Sequence, residues 1–237
     1  MVGNTLSISI AKIILRLLVP LILALLLNEV VHHKFMRMAQ TVFFLPYFLS
    51  WAVMGGVLRN LFQYDGMVNE LLGRIGIDPI MFLGSNTWFP IIIILSDVWK
   101  DMGYNMIIFL AAITGVDPAL NESAALDGAN RWQTLWRVTI PNVMPSITIC
   151  MFLSLTNGFK LFDQNLALTD GRPFQQLGNG ETIKTTEMLA LNIVNAFGTN
   201  GGGNRGVGQA KAVIFFIVVA AISIIQLQAS RRKEVQQ

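Results

Sequence analysis

Charge is scarce in this chain. Of its 237 residues only 13% are Asp, Glu, Lys or Arg, against 53% hydrophobic, and the mean hydropathy is +0.55. Soluble domains carry about 25% charged residues. A water-facing globule of this size would lack polar surface, which leaves an integral membrane protein. The net charge of +3 is too small to suggest nucleic acid. Cysteine is nearly missing as well: Cys150 stands alone, which excludes an intrachain disulfide and a CxxC metal or redox motif. No GxxxxGK[ST] phosphate loop occurs, so the chain is not expected to hydrolyse ATP, and no HExxH, G-x-S-x-G or metal-spaced Cys/His cluster occurs either. His32 and His33 are adjacent, and neighbours on a helix do not face one site; they read as part of a charged loop. The first 27 residues lack the charged start and small-residue cleavage site of a signal peptide, and carry Lys12 and Arg16 inside an apolar run.

What the chain does have is long apolar stretches. A spanning helix needs about 20 mostly apolar residues. Five stretches meet that length: about 6–27, 40–62, 88–114, 142–162 and 209–228. Backbone in lipid must satisfy its own hydrogen bonds, so each is expected to be helical, and the shorter alternating segments of a β-barrel do not appear. The expectation is an all-α membrane protein, a single domain over 1–237 built as a bundle of five transmembrane helices. Pro20 and Pro46 fall inside two of the runs, where they kink a membrane helix without ending it. Lys and Arg gather in the first connection (28–39), the third (117–141) and the tail ASRRKEVQQ, whereas the second (63–87) sets one Arg against Asp65, Glu70 and Asp78. Basic loops face the cytoplasm, which places the N-terminus outside and the C-terminus inside. The fourth connection, 163–208, contains GTNGGGNRG at 198–206, which reads as a flexible turn.

The third connection includes ESAALDGANRWQTLWRVTIP at 122–141, polar and patterned where the rest is apolar. Asp117-Pro118 is a helix start, since Asp caps free N–H groups and Pro suits the first helical position. A short helix over 118–127 would stop at Gly128, where left-handed backbone is available to glycine. Asn130 would cap a second short helix reaching about Val138, with Pro141 ending it or restarting the next span. Ser123, Ala124 and Ala125 give the first helix a small-residue surface on which another protein could sit. The alternative is an interfacial hairpin with Trp132 and Trp136, spaced i, i+4, at the lipid headgroups.

This stretch resembles the EAA loop of ATP-binding-cassette importer permeases, in which Glu-Ala-Ala is followed by three residues, Gly, nine residues and Ile-x-Leu-Pro. Glu122, Ser123, Ala124, Gly128, Val138, Ile140 and Pro141 stand at that spacing, with Ser123, Val138 and Ile140 as conservative departures. Asp127 and Ala129, giving LDGA, are similar to the carbohydrate-uptake branch, as are DVWKDMGYNMIIFLAAITGVDP, FKLFDQNLALTDG, EMLALNIVNAF and GQAKAVIFF. The resemblance covers nearly the whole chain. It implies a permease subunit of a sugar importer in the bacterial cell membrane, without a cofactor of its own. Its implied partners are a second permease, two cytoplasmic ATPase subunits that bind the ATP, and an external solute-binding protein. The loop over 117–141 would be the coupling helix held in an ATPase cleft, with Glu122, Ser123, Ala124, Asp127, Gly128 and Pro141 as its motif residues. Carbohydrate permeases have at least six spans with both termini inside; five are visible here, and NTLSISIAKI resembles the start of the second, which implies a form lacking a first helix.

Several charges lie within the apolar runs. Asp97, Lys100 and Asp101 sit in the third, where a lone charge costs at least about 2.5–3.5 kcal/mol. Asp97 and Lys100, at i, i+3, can share a helix face. Two readings stand: a polar lining of a substrate path, or a structural ion pair or contact to a second permease subunit. Asn157, Phe159 and Asp163 offer hydrogen-bonding and aromatic groups suited to a sugar, although Phe and Asn at helical spacing more often pack. Lys12 and Arg16, at i, i+4, are expected to snorkel to the interface, with a cavity-lining role as the alternative. Rival functions are a stand-alone secondary transporter or channel, which would show inverted repeats, and a membrane-embedded enzyme, which would need a catalytic constellation; neither feature is evident.

Overall fold

The computed structural model describes residues 2–160, 162–169, 173–176, 182–184, 186–198 and 203–231. The described chain is helical except for one small ribbon. In order come α1 (Val2–Asn28), α2 (His33–Phe44), α3 (Trp51–Phe62), α4 (Met67–Arg74), α5 (Trp88–Thr114), α6 (Pro118–Leu126), α7 (Arg131–Thr134), α8 (Ile140–Lys160), α9 (Asp163–Leu168), α10 (Leu189–Ala196) and α11 (Arg205–Arg231). The ribbon pairs β1 (Phe174–Gln176) antiparallel with β2 (Thr182–Lys184), with Gln175 opposite Ile183. An all-helix reading leaves this ribbon out; three residues per strand are too few to leave an alternation signal. Of the glycine run at 198–206, residues 199–202 lie outside the described residues.

Three described helices are long and apolar enough to cross a membrane by themselves, Thr5–Asn28, Arg131–Phe159 and Arg205–Ala229; the number rises to five if each of two bent helix pairs is one span. The 40–62 stretch is one of those pairs, not a single kinked helix. α2 ends at Phe44, Leu45–Phe48 form a 3-10 turn containing Pro46, and Ser50 caps α3 by accepting from the Val53 N–H at 3.3 Å. Pro46 has no N–H to continue the ladder, and a serine four residues later supplies a fresh N-terminus, so the run LPYFLSW holds both a stop and a start. The 88–114 stretch is α5, at about 1.5 Å per residue roughly 40 Å long.

Contacts divide the chain into two compact units. One comprises Met1–Lys12, Phe48–Asp97 and Asn157–Val219; the other comprises Ile13–Tyr47, Val98–Thr156 and Ala220–Gln237. The first is built on Ile8, Met54, Leu58, Phe89, Ile93, Leu168 and Met188. Gly55 lets α3 meet α9 there, since a Cβ on it would stand 2.8 Å from that of Ala167. Buried Asn69 organises the connection around α4: its amide donates to the carbonyls of Gln63, Tyr64 and Ile80, and its oxygen accepts from the Ile80 N–H at 2.9 Å. The second unit is built on Ala24, Leu27, Met106, Phe109, Leu110, Ile113, Val143 and Cys150. Here Gly103 permits close approach of α2 to α5, because a Cβ would fall within 2.2 Å of the Phe43 carbonyl oxygen.

Candidate functional site

The polar loop of the second unit is two short helices held at a sharp bend. α6 leaves α5 at an angle of 62°. Asp117 starts it, its carboxylate accepting from the Ala119 N–H at 2.9 Å, with Pro118 in the first turn. Its C-terminus closes in a Schellman motif: Gly128 N–H donates to the Ala125 carbonyl and Ala129 N–H to that of Ala124, with Gly128 at φ +78°. Two residues later Asn130 and Gln133 form a reciprocal capping box, each side-chain oxygen accepting the other's backbone N–H at 2.8–2.9 Å. Two helix ends are thus fixed within six residues by local bonds alone.

The second short helix does not stop near Val138. α7 continues through a π-turn, Leu135–Thr139, straight into α8, and the Ile140 N–H reaches back to the Leu135 carbonyl. Pro141 therefore neither ends nor restarts a span; it lies in the first turn of α8. The wider turn accommodates a residue that has no N–H and that crowds the carbonyl four positions before it. The mechanical consequence is that Arg131–Phe159 is one continuous apolar helix, begun in the loop.

This hairpin is turned outward. Glu122, Ser123, Asp127 and Gly128 are exposed and Ala124 is half-buried. The carboxylates of Glu122 and Asp127 have no hydrogen-bond or ion-pair partner among the described residues. Leu126 is 89% exposed, and Trp132 and Trp136 are 68% and 62% exposed. Beside it opens a cleft of about 620 Å³, lined among others by Glu29, Asn121, Ala125, Arg131 and Trp132, with an exposed Glu29–Arg131 ion pair at 3.5 Å.

The charged residues of the apolar runs have inward partners instead. In the first unit Lys12 and Asp97, both fully buried, pair at 3.6 Å. Lys12 also donates to Gln164 Oε1 at 2.6 Å, and Gln164 Nε2 donates to the Ile93 carbonyl and to Ser96 Oγ at 2.7 and 2.8 Å. Asn165, next along α9, donates to the Thr186 carbonyl. In the second unit Arg16 pairs with Asp101, Asn105 donates to the Arg16 carbonyl, and Lys100 donates to the Tyr47 carbonyl at 2.8 Å while standing over its ring. Lys12 and Arg16, at 0% and 3% exposure, do not snorkel; each has a carboxylate within reach, which removes the need to seek water. Of the other residues considered for a sugar path, Asn157 and Asp163 are exposed and Phe159 is buried. Gln164 and Ser96 were not singled out by the sequence. For the charged pairs alone a signal existed: Lys12/Arg16 and Asp97/Asp101 are both spaced by four, so two helices carry matching ladders of opposite charge.

Residues 16–235 match the family described as binding-protein-dependent transport system inner membrane component. The chain is 36% identical over 234 residues to the "Probable starch degradation products transport system permease protein AmyD" of Thermoanaerobacterium thermosulfurigenes, a match covering 98% of this chain and 75% of that one. Among solved structures it superposes on a bacterial ABC transporter involved in the import of the acidic polysaccharide alginate, with TM-score 0.84, 31% identity, and coverage of 97% of this chain and 77% of the other. The same comparison with the alginate transporter in complex with its alginate pentasaccharide-bound periplasmic protein gives TM-score 0.78 and 29% identity.

Proposed function

The chain belongs to the family of binding-protein-dependent transport system inner membrane components, and from that premise we propose that it is the permease subunit of an ATP-driven importer of sugars or oligosaccharides. The relatives named for starch degradation products and for alginate support the substrate class. In this reading the chain crosses the membrane five times, at about 6–27, 40–62, 88–114, 142–162 and 209–228, with the 117–141 hairpin and the C-terminus in the cytoplasm and the N-terminal end of α1 outside. The partners are a second permease, two ATPase subunits that hold the ATP, and an external binding protein that delivers the sugar. The chain itself binds no nucleotide and catalyses no reaction.

One observation supports coupling at the 117–141 hairpin: its turns are closed by its own hydrogen bonds, yet it presents its charged and aromatic groups outward. Preformed turns lower the ordering cost of docking, and exposed Trp and Leu beside unpaired carboxylates suit a protein cleft with an apolar floor and a basic rim. Because α7 runs unbroken into α8, a displacement of the docked hairpin is passed to a membrane helix as a rigid-body movement rather than absorbed in a flexible link. ATP-driven closure of the ATPase pair would then tilt α8 and change which side of the bundle is open. Asn157, Phe159 and Asp163, with Asp97, Lys100 and Asp101, remain the residues proposed for the sugar path or for the contact with the second permease.

The test is a cysteine at Ala124 or Asp127 in an otherwise cysteine-free chain, crosslinked in membranes. A crosslink to an ATP-binding subunit whose yield changes with nucleotide is the expected result. Labelling of either position from the outer side of intact cells, or no ATPase among the products, would overturn the reading.

A further inference from the structure

Two of the helices long and apolar enough to cross a membrane by themselves, Thr5–Asn28 and Arg131–Phe159, meet at the cleft beside the hairpin. The end of the first and the start of the second both line it. Buried Ile113 and half-buried Leu25, Val116 and Leu135 give it apolar walls. Exposed Glu29, Asn121 and Arg131 give it a polar rim, and Trp132 follows Arg131 in the same helical turn. The 3.5 Å approach of Glu29 to Arg131 sets the α1 end against the hairpin. The capping box at Asn130 fixes the turn that carries Arg131 and Trp132. At about 620 Å³ the cleft falls in the range of roughly 300–1,000 Å³ that takes a drug-sized molecule, which is room for a large side chain.

We infer that this cleft receives an apolar anchor side chain of the ATPase subunit, so that one motor grips the α1 end and the hairpin together. The inference rests on the hairpin being the coupling joint and adds a second point of grip to it. Apolar walls inside a polar rim are the anatomy of an anchor pocket at a protein interface, and Trp and Arg are the residue types that carry most binding energy there. Asn121 and Ala125 line the cleft from the same short helix that carries Glu122, so a partner covering Glu122 reaches the cleft mouth. Charge disfavours a phospholipid. Arg131 already faces Glu29, and Glu122 and Asp127 add exposed carboxylates on the adjoining helix, so an anionic headgroup meets no unopposed cation. The consequence is mechanical: a displacement of the ATPase acts on α1 as well as on α8.

The experiment uses the assembled transporter in its membranes. Asn28→Cys, in an otherwise cysteine-free chain, is labelled with a benzophenone maleimide and photolysed, in parallel with the same label at Ala124→Cys. Both positions should attach to the ATP-binding subunit, identified by mass spectrometry, and the yield at Asn28 should change with nucleotide. Attachment from Ala124 but not from Asn28 overturns the anchor and leaves the hairpin joint standing. Attachment from neither removes the joint and the anchor with it. Attachment from Asn28 to phospholipid, or to a permease chain, overturns the anchor as well. A second measurement fills the cleft from the α1 side without changing a hairpin residue. Asn28→Trp should weaken binding of the ATPase to the solubilised permease by roughly ten-fold or more, the worth of one lost anchor, while Asn28→Ala binds as the wild type does. Equal binding by Asn28→Trp would mean that nothing enters the cleft, and would overturn the inference.

Discussion

Two short helical segments interrupt the long spans, and they dispose of their polar groups in opposite ways. α9 buries Gln164 and Asn165 and ties them to Lys12, Ser96, Ile93 and Thr186, residues far away in sequence. The α6–α7 hairpin bonds Asp117, Asn130 and Gln133 to neighbours within three residues and leaves Glu122 and Asp127 facing out. A polar side chain that reaches across sequence is holding the bundle together. One whose hairpin is already satisfied locally is free to meet another molecule. The comparison turns on energetics: removing a partner from the first kind takes a contact away from a buried group, whereas removing the second kind leaves the fold untouched.

The largest effect should come from Lys12. Replacing it with Met removes the cation that stands 3.6 Å from the fully buried Asp97, and breaking one partner of a buried pair costs about 3–5 kcal/mol. Thermal unfolding in detergent should shift down sharply for Lys12→Met, and Lys12→Met with Asp97→Leu should recover most of the loss. A single variant as stable as the double would mean that this pair does not hold the first unit together. Next in size is Gln164→Leu, which deletes hydrogen bonds to Lys12, Ser96 and the Ile93 carbonyl at a buried site. About 2 kcal/mol is expected, read as a lower melting temperature. An unchanged melting temperature would place α9 outside the network.

The two segments were not equally legible. The hairpin's start at Asp117-Pro118, its bend at Gly128 and the cap at Asn130 are local events written in neighbouring residues, and the structure places each where propensity does. The continuation of α7 through the π-turn was not readable, because it depends on how α8 relaxes around Pro141. The break at Ser50 was masked by the apolar residues around it, which satisfy a span criterion whether or not the helix is continuous. Lys12 and Gln164 lie 152 positions apart; one chain position carries no record of which distant residue will share its buried site. Only the matching four-residue spacings of Lys12/Arg16 and Asp97/Asp101 hinted at the pairing. The three helices long and apolar enough to cross a membrane by themselves, by contrast, were visible from hydropathy, since hydropathy sums over each residue separately.

A smaller structural effect separates folding from coupling. Gly128→Ala meets no atom within 4 Å, so its only cost is the left-handed backbone at φ +78°, about 1–2 kcal/mol. Membrane insertion and the unfolding profile should change little, while the bend that presents Glu122 and Asp127 is biased away from its native angle. Sugar uptake should fall further than ATP hydrolysis does, measured on the same vesicles. Equal losses in both would indicate a general defect of the assembly and not of this joint.

The smallest effect on stability should accompany a large effect on transport. Glu122→Lys reverses a solvent-facing charge that has no partner among the described residues. Exposed substitutions away from special features stay within about 0.5 kcal/mol, so the melting temperature should be unchanged. If the hairpin sits in a cleft with a basic rim, the same change places like charges against each other, and uptake should drop while the chain remains in the membrane. Restoration by a reciprocal Lys or Arg to Glu change in the ATPase would identify the contacting residue. Normal uptake by Glu122→Lys would mean that the outward carboxylate is merely solvated, and the contrast between inward and outward polar groups would then hold for stability but not for function.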